Sequence, residues 1–166
     1  MKKLIPHFLV CLTLIGFFVY GPGRNIPASN GAGKCQLYFV DKQLHCLVPT
    51  AFSADTTPEK TAKKMVAELL SGRDKNTAIL RIIPNVRDGI TVRTSGETAY
   101  VNISSELSKD INRNAENEKL FIYQIVNSLT SVEGIQYVRF TIDGEVRQDF
   151  LGFLDMREIF APNYRV

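Results

Sequence analysis

Apolar residues recur at helical spacing in two parts of the chain, and each part predicts a helix with one buried face. The first begins at Thr57, which suits the N-cap, and Pro58 suits the first helical position. The second runs from about Ala115 to Val132, with Asn112 or Asn114 as its N-cap. The predicted apolar stripes are Ala62, Met65, Val66, Leu69 and Leu70 in the first helix, and Ile122, Ile125, Val126 and Leu129 in the second.

Shorter stretches rich in β-branched and aromatic residues predict strands. Gly89–Thr94 and Thr98–Ser104 flank a Gly-containing turn, and the second of them alternates apolar and polar residues, as a half-buried strand does. Tyr137–Ile142 alternates in the same way and leads into Asp143–Gly144, a strong tight-turn signal. Ile79–Pro84 is apolar and closed by proline, which indicates an edge strand or a packed loop.

The fold class follows from these elements together with the two ends of the domain. Cys35–Val40 and the LHCLVP run that ends at Pro49 surround a polar turn and predict an opening hairpin. The apolar, irregular tail Phe150–Phe160 is expected to pack over the sheet. We therefore predict an α+β fold in which two helices pack on a small, mainly antiparallel sheet with hairpins.

The first residues predict export from the cytoplasm. Lys2 and Lys3 precede Leu4–Tyr20, which contains no acid, Lys or Arg and is close to the roughly 17 to 25 apolar residues that cross a membrane. We interpret residues 1–20 as a membrane anchor or a cleaved signal peptide. Residues 21–34, rich in Gly, Pro, Asn and Ser, are interpreted as a flexible tether, and residues 35–166 as one domain facing away from the cytoplasm.

Composition and charge exclude several classes of protein. At 45% hydrophobic and 22% charged residues the chain has the composition of a globular protein rather than a disordered one. Its net charge of +3, without a basic run, does not favour a nucleic-acid partner.

The chemistry-bearing residues near the start of the domain do not form a reactive set. His45 is the only histidine outside the N-terminal apolar segment, and its neighbour Cys46 points to the opposite face if both lie on a strand. With Cys35 they fall short of the four close ligands of a structural zinc site. We therefore predict no catalytic pair and no metal here.

A disulfide between the two domain cysteines is not expected either. With the hairpin turn centred near Lys42, Cys46 should face residues 38–39 and Cys35 should face residues 49–50. That register places the two Cα atoms beyond the roughly 7 Å that a disulfide can span.

The acidic residues give no enzyme signature, and no phosphate-binding loop or nucleophile elbow is present. Two hypotheses besides a protein-assembly module stay open. A hydrolase would need two carboxylates in one cleft. An envelope module binding peptidoglycan or a small molecule would need a concave pocket, for which aromatic residues are available. The acids considered are Glu97, Glu106, Asp110, Glu116, Glu118 and Glu133, and the aromatics are Tyr38, Tyr100, Tyr123 and Tyr137.

Five stretches follow one another in a recognisable order. They are LYFVDKQLHCLVP (Leu37–Pro49), PEKTAKKMVAELLSG (Pro58–Gly72), IIP (Ile82–Pro84), AYVNIS (Ala99–Ser104) and IYQIVNSLTSVEGIQYVRFTIDG (Ile122–Gly144). Together they resemble the sporulation and spore germination (GerMN) domain over nearly all of the predicted domain, and the last stretch is the most specific.

This resemblance implies a non-catalytic extracytoplasmic domain similar to the ring-building motif of secretion-system and sporulation-channel proteins. It implies a protein–protein assembly module of the cell envelope that acts in sporulation and germination, where such proteins help to build the channel between mother cell and forespore. The implied partners are other envelope or sporulation-channel proteins, or further copies of the chain in a homo-oligomer or ring. No enzyme activity, cofactor or metal is implied, and the binding residues stay unassigned.

Overall fold

The computed structural model describes residues 33–41, 43–71, 79–80 and 89–166, so the predicted anchor and most of the predicted tether lie outside the described residues. The described residues form two α-helices and six strands, with a 3-10 helix at Ser105–Lys109. The elements in chain order are β1 (Lys34–Asp41), β2 (Cys46–Ser53), α1 (Pro58–Ser71), β3 (Ile79–Leu80), β4 (Ile90–Ser95), β5 (Thr98–Ile103), α2 (Ala115–Thr130) and β6 (Tyr137–Ile142).

The predicted α+β class is confirmed, and the strands divide between two three-stranded sheets. The first sheet has the order β2-β1-β3 and the second the order β4-β5-β6. Every pair is antiparallel except β5 with β6, which runs parallel because α2 carries the chain back to the same end of the sheet. The apolar–polar pattern along the sequence does not indicate which strands share a sheet.

The opening hairpin forms, but its register and its turn differ from the prediction. Cys46 pairs with Asp41 and Cys35 pairs with Phe52, rather than with residues 38–39 and 49–50. The loop is longer than predicted because the Asp41 carboxylate accepts hydrogen bonds from the backbone N–H groups of Gln43 and Leu44, at 2.7 and 2.9 Å. A capped loop of this kind shifts the start of β2 to Cys46.

Both helices begin where the capping residues predict. The Thr57 hydroxyl accepts from the N–H of Lys60 ahead of α1, and the Asn114 side chain accepts from the N–H of Asn117 at the start of α2, at 2.7 Å. These bonds satisfy N–H groups that the first helical turn leaves without partners. The predicted stripe of α2 is fully buried. The stripe of α1 is also buried except at Leu69, which is half-buried.

α2 lies between the two sheets and is buried on nearly all sides. It packs against β1 and β6 and contacts α1. It also buries polar side chains, which are Glu118, Gln124, Asn127 and Ser128. A helix buried all round normally carries apolar residues on every face. The polar residues of α2 must therefore have partners inside the fold.

Those partners are backbone groups of other segments. Ser128 Oγ accepts from the N–H of Tyr38 at 2.9 Å, and Ser131 Oγ accepts from the N–H of Gln36 at 2.8 Å. Asn127 bonds to both the N–H and the carbonyl of Asn163, at 2.9 and 2.8 Å. α2 and its C-cap Ser131 thus hold one side of β1 and the C-terminal segment by side-chain hydrogen bonds.

The tail packs over the second sheet, as predicted. Phe150, Leu151, Met156 and Phe160 are buried. Phe160 and Val138 exchange two backbone hydrogen bonds of 2.9 Å, so the tail extends the sheet beyond β6 by one antiparallel bridge.

Candidate functional site

The histidine and the cysteines of the opening hairpin lie apart and do not form a reactive group. His45 is in the turn, with a positive φ of 48°, and not on a strand as predicted. Its Nδ1 lies 3.6 Å from Glu116 Oε1, and both side chains are exposed. Cys35 is buried and Cys46 half-buried, and both are free thiols. Burial raises the pKa of the Cys35 thiol, which makes a thiolate at this position unfavourable.

The acids considered for hydrolysis do not converge. Glu118 is completely buried and bonds to backbone N–H groups, Glu97 accepts from the side-chain amide of Gln136, and Glu106 pairs with Lys109. Within the described ranges no group of three or more His, Cys, Asp or Glu residues could hold a metal ion.

The four tyrosines considered for a ligand pocket point to different parts of the molecule. Tyr38 lies against Tyr164, with ring centroids 5.8 Å apart, and Tyr123 lies edge-on to Phe160 at 6.1 Å. Tyr100 and Tyr137 lie on the outer side of the second sheet. They therefore do not line one concave site.

A cleft of about 270 Å³ opens at the N-terminus of α1, between the base of the opening hairpin and the turn after α2. Its walls include Cys35, Ala54 and Val132, and its rim includes Asp55 and Glu133. The cleft is slightly below the range of roughly 300 to 1,000 Å³ that drug-sized ligands occupy. It contains none of the four tyrosines, so the aromatic pocket is not found there.

Asp55 at the rim of the cleft gives a testable titration. The Lys64 ammonium, and after it the N–H of Thr56, hold the pKa of the Asp55 carboxyl at about 2 against an ordinary value of 3.8. Because the folded pKa is the lower one, this contribution to stability is present above pH 3.8 and is lost as pH falls towards 2. We expect Lys64→Gln to raise the pKa of Asp55, as measured by NMR titration of its carboxyl carbon.

The matched control for that titration is Lys63→Gln. Lys63 lies next to Lys64 but bonds to Glu59 at 2.5 Å, so its loss should raise the pKa of Glu59 and leave that of Asp55 unchanged. A wild-type Asp55 that titrates at its ordinary value would show that the Lys64 contact does not persist in solution.

The outer side of the second sheet is an exposed face formed by three strands. Val92, Val101 and Phe140 face the core, so their neighbours along each strand face outward. The register aligns these outward residues in three rows across β4, β5 and β6. The rows are Thr91–Asn102–Thr141, Arg93–Tyr100–Arg139 and Ser95–Thr98–Tyr137, and we call these nine residues the open face.

The middle row concentrates charge around an aromatic ring. The Arg93 Cζ atom lies 4.7 Å from the centroid of the Tyr100 ring, a cation–π contact worth about 0.5 to 1 kcal/mol at an exposed site. Arg139 is the strand neighbour of Tyr100 on its other side. The bridge between Val138 and Phe160 places Ile159, which is 49% exposed, beside Arg139. The middle row and Ile159 therefore place two cations, an aromatic ring and an exposed aliphatic side chain next to one another.

The outer row that contains Asn102 is held by hydrogen bonds within the domain. Asn102 Oδ1 accepts from the Thr141 hydroxyl at 3.0 Å and from the N–H of Gly144 at 2.6 Å. Asp143 and Gly144 both have positive φ, of 52° and 82°, which confirms the predicted tight turn. These bonds fix one end of the open face without covering its centre.

Sequence reasoning missed the open face as a unit. Alternation correctly predicted that Tyr100 and Asn102 point away from the core. The parallel pairing of β5 with β6 brings Arg139 beside Tyr100 over 39 residues of sequence, which no local pattern indicates. The alternation of β4 and β6 was the available signal, since it places both arginines at outward positions.

Comparison with known proteins identifies the family of this chain. A family model described as sporulation and spore germination (Germane) matches residues 36–148, more than half of the chain. The chain belongs to the sporulation and spore germination family. No curated protein matches this family member's sequence.

Solved structures show the same fold at low sequence identity. The first GerMN domain of the sporulation protein GerM from Bacillus subtilis matches with a TM-score of 0.60 and 18% identity, over 80% of this chain and 98% of that one. The tandem GerMN domains of the same protein match with a TM-score of 0.61 and 19% identity, over 77% of this chain and 45% of that one. The resemblance to the GerMN domain is thus confirmed.

A third structure, of a protein from Clostridium perfringens classed as a lipoprotein, matches with a TM-score of 0.56 and 17% identity, over 78% of this chain and 88% of that one. Among the described residues, no helix of this sporulation-family chain is long and apolar enough to span a bilayer. The predicted anchor lies outside those residues and stays a prediction.

Proposed function

We propose that this member of the sporulation and spore germination family is a non-catalytic assembly module of the cell envelope, held at the membrane by its N-terminal segment. In this proposal it binds other envelope proteins during spore formation, and its contribution is to hold them in place. Family membership and the fold of the GerM domains support the sporulation role. Of the two acids at the rim of the cleft, Asp55 and Glu133, Asp55 is paired with Lys64, which supports a binding role over hydrolysis.

The open face is the observation that carries the proposal. The middle row of the open face, with the exposed Ile159 beside it, combines Arg, Tyr and an aliphatic side chain, a composition typical of protein interfaces. Tyr137 is 41% exposed and Ile159 49% exposed, although both adjoin a well-packed core. Exposed apolar side chains that lie together, rimmed by polar ones, mark interaction sites more often than they mark ordinary surface.

Several strand edges are already occupied, which favours binding through the face. In β1 the N–H of Tyr38 donates to Ser128 of α2, and the N–H of Gln36 donates to Ser131, directly after α2. In β2 the N–H of Leu47 bonds to the carbonyl of Val166, and Pro49, two residues on at the same edge, has no N–H to offer. Strand edges whose N–H groups are already bonded, or that carry proline, resist the addition of a further strand.

The test is a deletion in the native host, scored by heat-resistant spore counts. We expect fewer heat-resistant spores, with recovery by the wild-type chain and no recovery by a chain carrying Tyr100→Ser and Ile159→Ser. A matched control carries Lys60→Ser and Lys63→Ser on the exposed side of α1 and should restore spores. Normal spore counts in the deletion strain would remove the sporulation role.

The ligand-binding alternative has weaker support in the structure. Its tyrosines are dispersed, and the cleft at the start of α1 is small and lacks aromatic walls. No observation on the described residues favours it over assembly.

A further inference from the structure

We infer that the open face binds an acidic segment of a different protein, rather than a second copy of this chain. This inference rests on the proposed assembly function and specifies its partner. The segment would present at least two carboxylates to Arg93 and Arg139, on either side of an apolar contact with Tyr100. Two observations support it, which are the unpaired charge of the open face and the charge of the surfaces that a second copy could offer.

The charge of the open face is not compensated within the domain. Its nine residues include two arginines and no acid. Among the described residues, neither Arg93 nor Arg139 forms an ion pair, whereas Lys109, Arg147 and Arg157 each pair with a nearby acid. Two cations on either side of Tyr100, neither with an acidic partner, produce a local positive potential that attracts an acidic surface and repels a basic one.

The acids at the two ends of the sheet are directed elsewhere. Glu97, in the turn between β4 and β5, accepts from the Gln136 side chain at 2.6 Å. Asp143, at the opposite end of the sheet, accepts from the N–H of Ser105 at 2.9 Å, which lowers its pKa. Both carboxylates are therefore engaged at the two ends of the face, and neither lies in the middle row between Arg93 and Arg139.

The geometry of the middle row sets the spacing of the partner's acids. Arg93 and Arg139 lie on strands that flank β5, so their Cα atoms are about 10 Å apart at the usual strand spacing. Residues i and i+7 of a helix are separated by about the same distance along the helix axis. A partner helix with carboxylates at i and i+7 would reach both guanidinium groups while its central residues cover Tyr100.

Neither the open face nor α1 of a second copy offers such a surface. Two open faces placed against each other in a symmetric dimer would bring four arginines together. The exposed side of α1 carries Lys60, Lys63 and Lys64, while Glu59 and the neighbouring Asp55 are already bonded to two of these lysines. α2 is buried between the sheets. The described helices of this chain are therefore poor partners for a cationic face.

The experiment is photo-crosslinking of the full chain in cells of its native host. The photoreactive amino acid p-benzoylphenylalanine replaces Tyr100, and mass spectrometry identifies the crosslinked segment. We expect a segment of another protein that contains at least two Asp or Glu residues. Combining Arg93→Glu with Arg139→Glu should lower the yield about tenfold or more, because both attractions become repulsions.

Two controls separate charge from folding. Lys60→Glu with Lys63→Glu makes the same charge change on α1 and should leave the yield unchanged. Arg93→Gln with Arg139→Gln removes the charge without reversal and should give an intermediate yield, with protein levels checked by immunoblot. Loss of the crosslink in the Lys60 and Lys63 variant would assign the effect to total charge and overturn the inference.

Other outcomes also overturn the inference, and one of them leaves the assembly function standing. A crosslink to a second copy of the chain would show self-assembly through the open face and an error in the partner. A crosslink to a segment without acids, a yield insensitive to charge reversal, or no crosslink at all would each remove the acidic partner. The spore counts described above judge the sporulation role independently of these results.

Discussion

Replacing Glu118 by glutamine is expected to lower the free energy of unfolding by about 3 kcal/mol, a large effect for a change of one atom. Glu118 has no exposed surface, and its two carboxylate oxygens accept three backbone hydrogen bonds from the tail. The donors are the N–H groups of Leu151, Phe153 and Leu154, at 2.7, 2.8 and 2.9 Å.

The physical reason is that the amide cannot replace the carboxylate. Glutamine keeps one acceptor oxygen, and its NH₂ group would face a backbone N–H where the second oxygen was. One or two donors of the tail would then be buried without a partner, and each such donor costs about 1 to 3 kcal/mol. The position of Glu118 in the first turn of α2 adds to the loss, because the helix N-terminus favours a negative charge there.

Two measurements check this prediction, with a control on the same helix turn. Urea unfolding should show a lower midpoint with an unchanged slope, and the amides of Leu151, Phe153 and Leu154 should exchange about a hundredfold faster. Glu116→Gln, two residues earlier and exposed, should change stability by no more than about 0.5 kcal/mol. Equal effects of the two variants would mean that the tail is not held by Glu118.

Periodicity predicted the parts of the fold that are decided locally. The stripe of α2, the Asn114 cap and the alternation of Ala99, Val101 and Ile103 were all readable, because each depends on residues close in sequence. The tail was also predicted to pack over the sheet, since a run as apolar as Phe150–Phe160 must be covered. These features identified the α+β class before any topology was known.

The features that were not predicted depend on pairs distant in sequence. The predicted register of β1 with β2 was wrong because the true register depends on the capping of the turn by Asp41. The open face was missed because β5 and β6 pair in parallel across the whole length of α2. The sequence does not distinguish a buried polar residue on a helix from a surface one, so the contact of Glu118 with the tail was not predicted.

Ser128 is, like Glu118, a buried polar residue of α2, and its loss is expected to weaken the contact of α2 with β1. Ser128→Ala should lower the free energy of unfolding by about 2 kcal/mol, because the buried N–H of Tyr38 then has no acceptor. The serine hydroxyl itself donates to the carbonyl of Gln124 at 2.6 Å, which fixes the direction of its lone pairs towards β1. Alanine is the better helix former, so the loss is the net of the two effects.

A serine whose hydroxyl only donates within its own turn serves as the control. Ser108 Oγ donates to the carbonyl of Ser105 at 2.7 Å in the 3-10 helix, and Ser108→Ala should change stability by no more than about 0.5 kcal/mol. Hydrogen exchange separates the two cases, since the Tyr38 amide should lose protection in the Ser128 variant alone. If the Tyr38 amide keeps its protection in Ser128→Ala, the edge of β1 is held by the sheet itself, and the serines of α2 only fill space between the layers.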